Sequence, residues 1–111
     1  MSIKADSDAL FHINHNIIED NLDGIVCRGS ATVNIIKNAI RQNAHNGIDS
    51  WNTVDVTVQD NTITKNFNAG AVFNDDSIVK FILNAIQDNV HGLWCVGNVT
   101  ATISDNQYLG N

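Results

Sequence analysis

NAIRQNAHNG at residues 38–47 and NAIQDNVHG at residues 84–92 share one frame, Asn-x-Ile-x-x-Asn followed by His and Gly. Their separation is far too long for a helical period, and the match is too close for accident. Further copies are therefore to be sought between and around the pair. Aligning on the asparagines gives FHINHNIIEDN (11–21), VNIIKNAIRQN (33–43), VTVQDNTITKN (56–66), VKFILNAIQDN (79–89) and ATISDNQYLGN (101–111). The first Asn of each copy is Asn16, Asn38, Asn61, Asn84 and Asn106; the second is Asn21, Asn43, Asn66, Asn89 and Asn111. Both series advance in the same steps, and the spacing hardly varies along the chain. Gly24, Gly47, Gly70 and Gly92 follow the second Asn, and Ile25, Ile48, Ala71 and Leu93 follow the glycines. Ile3 lies one such step before Ile25, with Ser2 at the glycine position, so the repeat accounts for the whole chain.

Within each copy the apolar residues alternate, as in Val33 and Ile35 or Val56 and Val58, and a new short run follows each Asn. Period-2 runs of three to five residues predict strands too short to pair as hairpins, and the runs are broken at single Asn residues in place of two-residue Asn-Gly hairpin loops. Three such strands with bends between them make one turn of a solenoid. A leucine-rich repeat has a similar length, but Leu occurs only five times in the chain and cannot supply that framework.

Composition agrees with a single compact domain over residues 1–111, either by itself or as a fragment of a longer solenoid. Apolar residues make up 43% and charged ones 16%, enough for a core and too few charges for a disordered chain. Abundant Asn, much more Asp than Glu, and the absence of Pro favour turns and strands over helices. A net charge of −6 without clustered Lys and Arg argues against a nucleic-acid partner. No apolar run is long enough for a membrane span, and MSIKADSD at the start lacks a signal-peptide core, so the compartment stays open.

The pattern V-x-I-x-x-N-x-I-x-x-N-x-x-x-G-I resembles the right-handed parallel β-helix repeat of the pectin-lyase-like proteins, and it does so over essentially the whole chain. The resemblance implies an all-β, single-stranded right-handed parallel β-helix (solenoid) of about five coils, one coil per step of the asparagine series. For function it implies several alternatives: polysaccharide lyases, hydrolases and epimerases, phage tailspikes, and proteins without catalysis.

In a parallel coil, equivalent residues stack about 4.8 Å apart. Ile13, Ile35, Val58, Phe81 and Ile103 then form one inward ladder, and Ile18, Ile40, Ile63, Ile86 and Tyr108 another. The asparagines are expected at the bends, in the left-handed conformation that Asn tolerates, with their amides bonded to neighbouring coils. The glycine column is expected to need positive φ. Asn46 and Ala69 are single extra residues that enlarge the bend in two coils. Cys27 and Cys95 share one column three coils apart, about 14 Å, which no disulfide bridges. Both are expected to be free, inward-facing thiols.

Chemistry is sparse. His45 and His91 share a column about 10 Å apart, too far to ligate one metal. With His12 and His15 they read as turn residues, and no metal or cofactor is implied. Asp75 and Asp76 in the loop NDDS, with Asp49 one coil below and Arg28 nearby, are the weak candidates for catalysis, since glycoside hydrolysis needs two carboxylates about 5 to 10 Å apart. Against polygalacturonase-like enzymes, only Asp75-Asp76 and His91-Gly92 match. The Asn-Thr-Asp and Arg-Ile-Lys motifs, and the Asp-Pro-His of alginate epimerases, are absent. Every loop is short, whereas such relatives build their grooves from long ones. A turn-forming Asp pair is the better account.

The outer columns differ more from coil to coil. If the residue after each glycine points inward, Val26, Asp49, Val72 and Trp94 form an outward column beside Arg28, Trp51, Asn74 and Val96. Ile36 and Ile82 point outward elsewhere. Two Trp and three Val on one face suit a docking surface. The leading expectation is a non-catalytic recognition or assembly module, with binding residues Trp51, Trp94, Val26, Val72, Asn74 and Val96. Its partner would be another copy of the chain, a different protein or a polysaccharide, at this face or at the open coil ends. The alternatives are a polyuronide-active enzyme or fragment and, from charge alone, an acidic protein inhibitor.

Overall fold

The computed structural model describes residues 3–111; Ser2, expected to head the glycine column, lies outside them. The chain forms five coils of three strands. β1 (Ile3–Ala5), β2 (Leu10–Asn14) and β3 (Ile17–Glu19) make the first coil. β4 (Ile25–Cys27), β5 (Thr32–Ile36) and β6 (Ala39–Arg41) make the second, and β7 (Ile48–Ser50), β8 (Asp55–Gln59) and β9 (Thr62–Thr64) the third. β10 (Ala69–Asn74), β11 (Ile78–Ile82) and β12 (Ala85–Gln87) follow, then β13 (His91–Val96), β14 (Thr100–Ser104) and β15 (Gln107–Leu109). Each strand pairs in parallel with its equivalents in adjacent coils, giving three five-stranded sheets: β1-β4-β7-β10-β13, β2-β5-β8-β11-β14 and β3-β6-β9-β12-β15. Two strands, β10 and β13, are one residue longer than the pattern predicts.

Both expected apolar ladders are in register. Ile13, Ile35, Val58, Phe81 and Ile103 align through the second sheet, and Ile18, Ile40, Ile63, Ile86 and Tyr108 through the third. The first four members of each are buried, whereas Ile103 and Tyr108, in the fifth coil, are half exposed. The first sheet closes the core with Ile25, Ile48 and Ala71 and with Ala5, Cys27 and Phe73. Phe73 meets Phe81 edge to face at 6.0 Å, a favoured aromatic geometry. Each fully buried apolar side chain contributes about 1.5 to 3 kcal/mol, so burial of the core favours stacking of the coils.

Cys27 and Cys95 are both free and sit in one register column with Ser50 and Phe73. Cys27 is buried, and its thiol is pushed up to about 12, first by loss of solvation and then by the charge of Asp49. Cys95 is free and occupies the same inward column as expected, but in the fifth coil it is exposed.

The bends depart from expectation. The ladder asparagines are not left-handed; the residue before each of them is. His15, Lys37, Asp60, Leu83 and Asp105 have positive φ at the first bend, and Asp20, Gln42, Lys65, Asp88 and Gly110 at the second. For a non-glycine residue this conformation costs about 1 to 2 kcal/mol. The following Asn offsets that cost by restoring the ladder that the bend interrupts. Asn38 shows the arrangement. Its backbone N–H donates to Asn61 Oδ1 at 2.8 Å, and its Nδ2 donates to Ile13 O at 2.8 Å and to Asn61 Oδ1 at 3.1 Å. Asn61 and Asn84 repeat this one and two coils on. The second ladder does the same through Asn43, Asn66 and Asn89. All six side chains are buried, and no buried side-chain nitrogen or oxygen among the described residues lacks a partner.

A third left-handed column, Ser7, Gly29, Asn52, Asp75 and Gly97, turns the chain from the first sheet to the second.

The glycine column also needs correcting. Gly24, Gly47, Gly70 and Gly92 are not among the residues with positive φ. Gly24, Gly47 and Gly70 are required by close approach: a Cβ on Gly47 would lie 2.5 Å from Gly70 O and 3.0 Å from Asn66 Nδ2. The same squeeze recurs at Gly24 and Gly70. It eases at Gly92, where the nearest atom would be 3.4 Å away.

Replacing Asn61 by Ala takes the acceptor from the Asn38 N–H and the amide donor from Ile35 O, both in the preceding coil, each unpaired group costing about 1 to 3 kcal/mol. Urea denaturation is expected to show a loss of about 3 kcal/mol or more for Asn61→Ala. Asn16→Ala, at the exposed end of the same ladder, is expected to lose a small fraction of that.

Candidate functional site

The coil architecture aims alternate residues of the first sheet outward. Register places Lys4, Val26, Asp49, Val72 and Trp94 in one outer column, and Trp51, Asn74 and Val96 lie beside it. Both indoles and Val96 stand open to water on this face, Trp51 being 40% exposed, Val96 45% and Trp94 49%. Val26, Val72, Asp49 and Asn74 lie in the outward columns but are buried. They sit low, between the larger side chains around them.

Trp51, Trp94, Val72, Asn74 and Val96 share one cleft of about 210 Å³ with Asp49. His45, Asn46 and Asn68 complete its wall. Val26 and Arg28 instead border a separate depression of about 350 Å³ with Lys4, Asp6, Leu22 and Asp23. The six residues expected to bind therefore do not form one patch: five converge and Val26 stands apart.

The cleft's polar wall comes from the bend that carries the two extra residues. Asn46 does more than lengthen that bend. Its N–H donates to Asp23 Oδ1 at 3.0 Å, and its Oδ1 accepts from Ala69 N at 3.2 Å and Asn68 Nδ2 at 2.9 Å. This third, shorter polar ladder fixes His45 and Asn68 at the edge of the cleft. His45 Nδ1 lies 3.0 Å from Asp23 Oδ1. His91, in the same column, packs its ring 5.3 Å from that of Trp94.

Asp49 is the least comfortable group on the face. Only 8% exposed, it accepts hydrogen bonds from Asn74 Nδ2 at 3.3 Å and from the Trp51 side chain. Burial raises its carboxyl above the ordinary 3.8; the Trp51 hydrogen bond opposes this, Asp23 adds to it, and His45 and Arg28 oppose it weakly.

The weak catalytic candidates are scattered. Asp75 is a left-handed bend residue, and its Oδ2 accepts from Asn52 N at 2.9 Å, so that carboxylate serves the turn. Asp76 is exposed, with its backbone N–H on Asn52 O at 3.1 Å. Arg28 flanks Trp51, and Asp49 lies in the cleft away from the bend. Among the described residues no group of His, Cys, Asp or Glu is arranged to hold a metal ion, and no helix is long and apolar enough to cross a membrane.

A family model described as "Right handed beta helix region" matches residues 2–108. No curated protein and no solved structure matches the chain.

Asn has nearly the shape of Asp and keeps an oxygen for Asn74 and Trp51, so Asp49→Asn removes the buried charge and little else. A carboxyl raised by folding binds its proton more tightly in the folded state, so it penalises stability above the folded value and not below the unfolded one. The variant is expected to melt higher than the wild type at neutral pH. Thermal melts across pH should show that gap closing as pH falls towards 3.8, the ordinary carboxyl value, and closed below it.

Proposed function

The chain belongs to the right-handed beta helix family, and from that premise we propose that it is a non-catalytic recognition module whose binding surface is the outer face of the first sheet, centred on Trp51 and Trp94. A shared fold does not assign chemistry, so the reading rests on the site. The observation that carries it is the pair of half-exposed indoles bordering one cleft floored by Val72, Asp49 and Asn74.

Three features support this reading. Large aromatic rings held partly open to water on a rigid sheet are the side chains that most often dominate a binding surface. Trp94 stands on β13, and Trp51 directly follows β7 with its N–H bonded to Cys27 O at 2.9 Å, so little ordering cost accompanies binding. The buried Asp49 carboxylate opposes stability where an apolar residue would not, as expected of a position kept for function. The polyuronide-enzyme reading draws no comparable support, because Asp75 is engaged in a bend and Asp76 lies outside the cleft.

Trp51→Ala and Trp94→Ala leave the buried core untouched, so both variants are expected to fold. Sedimentation velocity and intrinsic fluorescence, measured with and without a panel of glycans, are expected to show either self-association or ligand binding that the substitutions weaken at least tenfold, the scale of a dominant interface residue. A strict monomer with both tryptophans shielded from acrylamide and no glycan response would sink the proposal.

A further inference from the structure

The hydrogen-bonding polarity of the cleft narrows its ligand. Asn68 Nδ2 donates to Asn46 Oδ1 at 2.9 Å, and Asn74 Nδ2 donates to Asp49 Oδ1 at 3.3 Å and Ser50 O at 3.0 Å. Both amide nitrogens are thus engaged inside the protein. Among the described residues, neither Asn68 Oδ1 nor Asn74 Oδ1 accepts a hydrogen bond. The cleft is therefore richer in free acceptors, the two amide oxygens and the carboxylate of Asp49, than in free donors, which are the Trp94 indole N–H and the second amide hydrogen of Asn68. Of its lining residues only His45 is able to carry positive charge, and His45 is paired with Asp23; Arg28 stands beside Trp51 outside the cleft.

A ligand for this surface must bring hydrogen-bond donors and a flat apolar face for indole, and it must not bring anionic acceptors. Sugar hydroxyls donate and pyranose C–H faces stack on aromatic rings. A uronate adds a carboxylate, which only accepts and carries negative charge, next to Asp49 and on a protein of net charge −6. That mismatch separates two ligand classes that the aromatic pair alone does not. Trp51 and Trp94 lie two coils apart, about 10 Å along the solenoid axis, which calls for a chain of sugars in place of a single one.

Resting on the reading of this face as a recognition surface, we propose that the cleft binds an uncharged glycan chain. Trp51 and Trp94 stack on separate sugars, and Asn68, Asn74 and Asp49 accept from hydroxyls between them. Polyuronides, the acidic polysaccharides that the sequence resemblance implies, are rejected.

Calorimetric and fluorescence titrations of the full chain test this with neutral hexasaccharides (β-1,4- and β-1,3-glucan, mannan and xylan types) against polygalacturonate and alginate oligomers. At least one neutral chain is expected to bind, with Trp94→Ala weakening it tenfold or more and the uronates binding at least a hundredfold more weakly. Asp49→Lys, which reverses the charge on the face, is expected to narrow that preference; circular dichroism checks that it folds, and Asp49→Asn, retaining the shape, serves in its place if it does not. Trp-dependent binding of uronates at equal or better affinity overturns the glycan assignment and leaves the recognition face standing. A Trp-dependent dimer without glycan binding does the same. Failure of every neutral chain at millimolar concentration also overturns the assignment; joined to a strict monomer insensitive to both Trp variants, it overturns the recognition reading too.

Discussion

The asparagine ladder is the interaction on which the rest of this structure depends. A coil that fits three strands into one short repeat must turn sharply between them, and it does so by placing a left-handed residue at each bend. Most of those residues are not glycine: Lys37, Leu83, Gln42 and Lys65 all adopt the conformation with no side-chain reason to prefer it. The residue that follows supplies the compensation. Buried Asn38 reaches both ways along the axis: its amide donates to Ile13 O in the preceding coil and to Asn61 Oδ1 in the next, and its own oxygen accepts from Asn16 N. Each bend is thus satisfied by its neighbours and not by itself. Stability is consequently a property of stacked coils, as in other solenoids.

Because the core and ladders need only the inward apolar positions, the two Asn columns and the close-packed glycines, the outward positions are free to differ. The second coil presents Val26 and Arg28 on the first sheet, the third Asp49 and Trp51, the fourth Val72 and Asn74, and the fifth Trp94 and Val96. No repeat rule produces that series. The two indoles, the buried carboxylate and the inward-tied amides follow from these free positions, and the bend carrying Asn46 adds the wall that turns a flat face into a cleft. Function thus concentrates where the repeat is silent.

Much of this is legible in the sequence. The period, the three strands per coil, the two apolar ladders and the outward aiming of Trp51 and Trp94 all follow from alternation and spacing, because a parallel stack turns spacing directly into position. Backbone detail is less accessible. Tolerance of the left-handed conformation points to the asparagines themselves, yet the residue before each of them takes it, and the Asn is left to aim its amide along the axis. The glycines are expected to need positive φ, whereas the carbonyl of the next coil leaves no room for a Cβ. A signal for the third bend is present but easily missed, since Ser7, Gly29, Asn52, Asp75 and Gly97 step at the same interval and are all residues that favour turns. The cleft wall is out of reach, because His45 and Asn68 become neighbours of the tryptophans only through the side-chain bonds of Asn46.

Hydrogen exchange of the ladder tests the central claim most directly. If the asparagines hold the bends closed, the backbone amides of Asn38, Asn61, Asn84, Asn43 and Asn66, each bonded to a side-chain oxygen of the next coil, exchange only on opening of the stack. They should then be protected as strongly as the central strand amides of Val56 and Val58. Exchange at those asparagines as fast as at the exposed bend residues Asp8 and Asn98, with the strands still protected, would show that the bends open independently and that the ladder does not hold the coils together.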